Sequence, residues 1–161
     1  MKAAGVKELK KELGQCTPQE LLEICLRLSK FKKENKELLT YLLFESYDEP
    51  AYIEKVKQEL DEQFDQINRG NIYFIKKSTR KILRNLKKYT RYSSKKETEV
   101  ELLLYFCEKL KSFSASVRRD KVLNSLYDRQ VLQIKKIILS LHEDLQYDYQ
   151  MELQELGTLR N

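Results

Sequence analysis

Ile53, Val56, Leu60, Phe64 and Ile67 follow one another at intervals of three and four residues. That spacing puts side chains on one face of an α-helix and does not suit a strand, whose faces alternate every second residue. The pattern returns along the chain: Leu38, Leu39, Leu42 and Leu43 before this seam, Ile75, Ile82, Leu83 and Leu86 after it, and Val131, Ile134, Ile138, Leu141 and Leu145 near the end. No segment alternates with period two over a strand's length, so the expected fold class is all-α. Only 4 glycines and 2 prolines interrupt 161 residues, which leaves few elements, each long, and no glycine-rich loop to cradle a phosphate.

The helix boundaries are written in capping residues. In "TPQE" Thr17 can cap, Pro18 fits a first-turn position where no N–H is needed, and Glu20 completes a capping box. The helix that follows is expected to bury Leu21, Leu22, Cys25 and Leu28 and to form a hairpin with the helix carrying Leu38 to Leu43. Asp48 and Pro50 open the next helix, and Gly70 is placed to end it. A basic helix then spans about Asn71 to Tyr92. Ser94 with Glu97 reads as another capping box, and "VELLLYFCEKL", Val100 to Leu110, is apolar on nearly every side, as a helix at the centre of the packing should be. A serine-rich turn, "SFSAS", precedes the last helical region.

The expectation is six to seven helices arranged as successive antiparallel hairpins of roughly 40 residues each. A helical bundle and a short HEAT-like stack of hairpins fit this pattern equally well. Roughly 100 to 200 residues make one domain, so residues 1–161 are expected to form a single all-helical domain.

The chain is formally +6, but the basicity is local. "KKSTRKILRNLKKYTRYSSKK", Lys76 to Lys96, holds ten Lys or Arg and no acid, while the other residues carry 21 basic and 25 acidic groups. At 100° per residue, Lys76, Lys77, Arg80, Lys81, Arg84, Lys87, Lys88 and Arg91 fall within an arc of about 140°. Ile75, Ile82, Leu83, Leu86 and Tyr89 fall on the other side. So many like charges on one helix face repel one another. The stripe reads in three ways: a solvated face partly neutralised by the acidic helix before Gly70, a docking site for an acidic protein surface, or a phosphate-binding face for nucleic acid. Nucleic acid is the weaker of the two binding readings. Only Asn85 accompanies the stripe as a base-reading amide, and Tyr89 points to the apolar side, where it offers no stacking platform.

The remaining polar residues supply no catalytic constellation. His142 is the single histidine and reads as half-buried, held by a neighbour beside the Ile138 and Leu141 seam. Cys25 and Cys107 fall on apolar faces, where a thiol behaves as a small hydrophobe. Cys16 precedes a helix N-terminus but has no histidine near it in sequence. With no C-x-x-C pair, no Glu-x-x-His pair and no EF-hand spacing in "ELDEQFD", no metal and no cofactor is expected. The amino terminus lacks the apolar run of a signal peptide, and nowhere do about 18 apolar residues follow one another. A cytoplasmic setting and no membrane contact are therefore expected. "LQYDYQMELQEL" places Tyr147, Tyr149 and leucines among acids, a segment suited to docking another helix and so to self-association.

"VKELKKELGQCTPQELLEICLRLSKFKKENKELLTYLL", "RKILRNLKKY" and "DRQVLQIKKIILSL" together resemble a family of small all-helical bacterial proteins that carry a domain of unknown function. The resemblance implies an all-α fold and a bacterial cytoplasmic protein, and it carries over no catalytic residue. The expected function is a non-catalytic interaction or scaffolding role with the basic helix as contact surface. Nucleic-acid association through the same residues is the alternative.

Overall fold

The computed structural model describes residues 1–113 and 115–159. It is all-α, with nine α-helices and no strand among the described residues. The helices are α1 (Val6–Leu13), α2 (Pro18–Phe31), α3 (Lys33–Thr40), α4 (Glu49–Asp65), α5 (Ile72–Ser93), α6 (Lys96–Phe113), α7 (Ala115–Arg119), α8 (Lys121–Ile138) and α9 (Glu143–Leu156). A wide π-type turn, Tyr41–Glu45, follows α3. The count exceeds six or seven for two local reasons. The last helical region breaks after Ile138, where the Ser140 hydroxyl donates to the Ile137 carbonyl at 2.7 Å and His142 starts a new helix. The serine-rich turn is also shorter than expected: α6 runs to Phe113 and the brief α7 begins at Ala115, with Ser114 outside the described residues.

Where the sequence predicts one domain over 1–161, the chain divides into two compact units, Met1–Phe44 and Glu45–Asn161. In the first, the Thr17 hydroxyl accepts from the Glu20 N–H at 3.3 Å and the Thr17 N–H donates to the Glu20 carboxylate at 2.7 Å. The predicted capping box is therefore present. The predicted core is not: Leu22 and Leu28 are 52% and 54% exposed, Cys25 is exposed and Leu21 is only half-buried. Tyr41 is the one buried residue among the described residues of this unit. The chain turns at Lys32, whose backbone is extended, and Asn35 Nδ2 donates to the Leu28 carbonyl at 2.9 Å across that break.

The second unit holds the core. All five seam residues from Ile53 to Ile67 are buried, and Val100, Leu102, Leu103, Phe106, Cys107 and Leu110 of α6 are wholly shielded from water. α6 is the hub, packed by α4, α5, α7, α8 and α9. Polar contacts fix the directions of its neighbours. Lys57 reaches Glu101 at 2.7 Å and Tyr105 donates to Asp61 at 2.7 Å, so α4 and α6 run parallel. Asn85 donates to Gln63 and Tyr52 donates to the Tyr89 carbonyl, so α5 runs against α4. Lys87 meets Gln133 and Lys111 meets the Leu156 carbonyl, which places α8 alongside α5 and α9 alongside α6. The partners that join parallel helices lie 44 to 46 residues apart. α4, α6 and α9 thus form one layer of parallel helices, and α5 and α8 the other, as successive antiparallel hairpins require.

Two terminators differ from expectation. α4 ends at Asp65, five residues before Gly70, which sits in the connecting loop with its N–H on Asn68 Oδ1 at 2.9 Å. Ser94 does not open α6. It closes α5 in the left-handed region (φ 58°), donating its N–H to the Thr90 carbonyl at 2.9 Å. That conformation interrupts the helical backbone and so sets the turn into α6.

Candidate interaction surface on the basic helix

α5 is opened by Asn71, whose side chain accepts from the Tyr73 N–H at 2.8 Å. Its apolar face is sunk into the second unit: Ile75, Ile82, Leu83 and Leu86 are buried, with Thr79, Thr90 and Ser93 among them. A helix pinned along one side holds its other side in fixed orientation. Tyr89 is half-buried, with its hydroxyl on the Glu59 carboxylate and its ring 6.2 Å from that of Tyr92.

The structure divides the eight predicted cations. Lys76 turns toward α8 and pairs with Asp120 at 2.7 Å. Asp120 is also the N-cap of α8, accepting from the Val122 and Leu123 N–H groups. Burial pushes the Asp120 carboxyl up, but Lys76 and those N–H groups outweigh it and hold it below its ordinary value. Lys87 likewise faces α8, donating to Gln133 Oε1 at 2.9 Å. Its burial, opposed by Glu99 and reinforced by Arg129, holds the ammonium below its ordinary value of 10.5. Lys88 is half-buried with its ammonium 5.3 Å from the Tyr89 ring. Lys77, Arg80, Lys81, Arg84 and Arg91 are exposed and make no ion pair among the described residues. Steps of three, one, three and seven residues set these five along one outward row about 21 Å long at 1.5 Å per residue.

The acidic helix before Gly70 does not neutralise this row. Glu54 holds Lys57 on its own helix, Asp61 holds Lys109 and Tyr105 of α6, and Glu59 takes the Tyr89 hydroxyl on the inner flank of α5. These carboxylates of α4 therefore serve α4 itself, α6 and the inner flank of α5, and none of them pairs with the outward row. The sequence reading missed cations on the helices that neighbour α5. Arg118 and Arg119 are exposed on α7, which packs against α5, and Arg129 on α8 lies close enough to depress Lys87. Nothing in their local sequence marks them, since they join α5 only through folding. A shallow recess of about 420 Å³ opens at the end of the row, lined by Lys87, Thr90, Arg91, Ser94, Glu99 and Gln133.

Other candidates are placed as follows. His142 is exposed rather than half-buried, and its Nδ1 accepts from the Asp144 N–H at 3.4 Å as the N-cap of α9. Cys107 is buried and its thiol is pushed up to about 12 by burial and by Glu108. In the C-terminal segment Leu153 and Leu156 are buried against its own unit, leaving Tyr147 and Met151 outward. No group of three or more His, Cys, Asp or Glu among the described residues is arranged to hold a metal ion. No helix among the described residues is long and apolar enough to cross a membrane. No protein-family model matches the chain, and neither does any curated protein or any solved structure.

Proposed function

We propose that the chain is a non-catalytic binding module whose contact surface is the outward row of α5, Lys77, Arg80, Lys81, Arg84, Lys88 and Arg91, and that its partner is an acidic protein surface. One observation carries this reading. The cations that α5 turns toward α8 have partners, whereas five of the outward ones have no ion-pair partner among the described residues. Holding them in a row costs repulsion within the helix, and an acidic partner removes that cost while gaining from a face already fixed in place. The choice of protein over nucleic acid rests on Asn85 and Tyr89, the amide and the ring in the middle of the helix. The Asn85 amide is committed to Gln63 and the Tyr89 hydroxyl to Glu59. A cytoplasmic setting accords with the free thiols of Cys16 and Cys25.

The test is a titration of the full chain with a poly-glutamate peptide, duplex DNA and a structured RNA, each at low and moderate salt. Binding of the acidic peptide, lost in the variant K77E/R80E/R84E, is the expected result. DNA or RNA binding much tighter than the peptide at matched salt, with a steep salt slope, would favour the nucleic-acid reading. Absence of binding to all three, even at low salt, returns the row to a solvated face.

A further inference from the structure

α2 presents Leu22, Cys25, Leu26 and Ser29 at i, i+3, i+4 and i+7, one stripe along its length. Leu22 and Leu26 are 52% and 46% exposed and Cys25 is exposed, while Leu21 and Ile24 turn the other way and are half-buried. The 44 residues of this unit bury only Tyr41 among them. Chains below about 40 residues rarely bury enough surface to stand alone and usually add disulfides, a metal or a second chain. This unit's cysteines are free and the described residues offer no metal cluster.

The charges beside the stripe indicate what covers it. Glu23 and Lys30 are both exposed and lie seven residues apart, hence on the same flank. More generally, the acids Glu20 and Glu23 occupy the first half of α2, and the bases Arg27 and Lys30 the second. When a second α2 is laid antiparallel, each Glu23 faces Lys30 of the other copy. The centre of that exchange, between Leu26 and Arg27, lies about two residues from the centre of Leu22, Cys25 and Leu26. A parallel arrangement puts the two Glu23 and Lys30 flanks on opposite sides of the pair, where neither charge meets its complement. The helix is thus complementary to itself in charge in one orientation only, beside the same apolar stripe.

We infer that α2 is a self-docking surface, and that two copies of this chain associate through an isologous antiparallel α2 pair centred near Cys25 and Leu26, with Glu23 and Lys30 pairing across the axis twice. The surface is separate from the basic row on α5, so either reading can fail without the other.

Sedimentation of the full chain at physiological salt reads the first consequence: a species of twice the 19.3 kDa chain mass, replaced by monomer in L22K/L26K. Charge reversal reads the orientation. E23K alone and K30E alone each weaken the dimer about fivefold, the scale of two rim ion pairs, and E23K/K30E restores it. Proximity is read by a short bismaleimide in a C16A background. Cys25 cross-links the dimer, whereas C25A/R27C, with its thiol on the opposite face, does not. Buried Cys107 stays silent in both. A chain that stays monomeric at the highest concentration reached overturns the inference. So does a dimer that survives L22K/L26K, a charge swap that fails to restore, or equal cross-linking from both thiol positions. The charge swap and the cross-link keep the test decisive even if L22K/L26K disrupts the first unit.

Discussion

α2 and α6 are both leucine-rich helices with apolar residues at helical spacing, yet they end in opposite environments. Leu102, Leu103, Phe106 and Leu110 of α6 are entirely out of water, whereas Leu22, Leu26 and Leu28 of α2 are about half exposed. The difference lies in the neighbours and not in the helices. α6 is surrounded by five other helices, while α2 meets the eight-residue α3. Burial is a property of the assembly around a helix, and an amphipathic sequence only makes it available.

The comparison breaks most sharply at Phe106 and Leu26. Phe106→Ala leaves a cavity beside Phe64 and should cost about 3 to 5 kcal/mol in urea unfolding. Leu26→Ala should change stability by less than about 0.5 kcal/mol when measured dilute enough to keep the chain monomeric. Similar losses at both positions would mean that the first unit has a core after all.

Glu49 sharpens the contrast on the polar side. At the start of α4 it accepts from the Thr98 hydroxyl at 2.6 Å and from the Ser93 hydroxyl, and it pairs with Lys95 at 2.9 Å, so one carboxylate ties α4 to the junction of α5 and α6. Glu49→Ala leaves the buried Thr98 hydroxyl without that acceptor and should lower stability by about 2 kcal/mol. Glu20, in the first turn of α2, caps only its own helix, and Glu20→Ala should leave the unfolding of the second unit unmoved. A shift in that transition would show that the two units unfold together.

Thr79 works in the other direction. Its hydroxyl is buried in α5 without a hydrogen-bond partner among the described residues, so Thr79→Val, which keeps the shape and removes the desolvated oxygen, should raise stability by about 1 kcal/mol. A loss instead would reveal an acceptor for the hydroxyl.

The smallest expected effect follows pH. Burial, then Glu101, Glu108 and other carboxylates around it, raise the Glu152 carboxyl above its ordinary value of 4.5. A raised carboxyl binds its proton more tightly folded than unfolded. Its ionised form therefore destabilises the fold at neutral pH, and the penalty fades as pH falls through the raised value toward 4.5. Glu152→Gln should shift the urea midpoint slightly upward at pH 7 and leave it unchanged well below pH 4.5. Asp61 has the opposite sign. Burial pushes it up, but Lys109 and Tyr105 outweigh that and hold it low, so its contribution is present at neutral pH and lost as pH falls below the ordinary carboxylate range. Equal response of Asp61→Asn and Glu152→Gln to pH would contradict this assignment.

Much of the fold is legible because its causes are local. Thr17 with Glu20 and Asp48 with Ala51 make their caps within four residues, and the Ile53 to Ile67 seam needs only helical periodicity to be read. Ser94 was misread because the same small polar residue can open a helix or close one, and only the backbone angle tells which. Leu22, Cys25 and Leu28 were misplaced because periodicity identifies an apolar face without saying whether anything lies against it. On α5 the stripe itself follows from spacing, but the withdrawal of Lys76 and Lys87 toward α8 depends on Asp120 and Gln133, 44 and 46 residues away.

The sequence by itself determined that this chain is helical, where most of its helices begin, and that ten cations gather in one segment, since each follows from interactions within a turn or two. Tertiary structure alone decided that α6 is the hub, that no acid of α4 pairs with the outward basic row, and that five cations of α5 have no ion-pair partner among the described residues. Those outcomes depend on which helices lie side by side, and that is set by burying the most apolar faces together at separations no local pattern records.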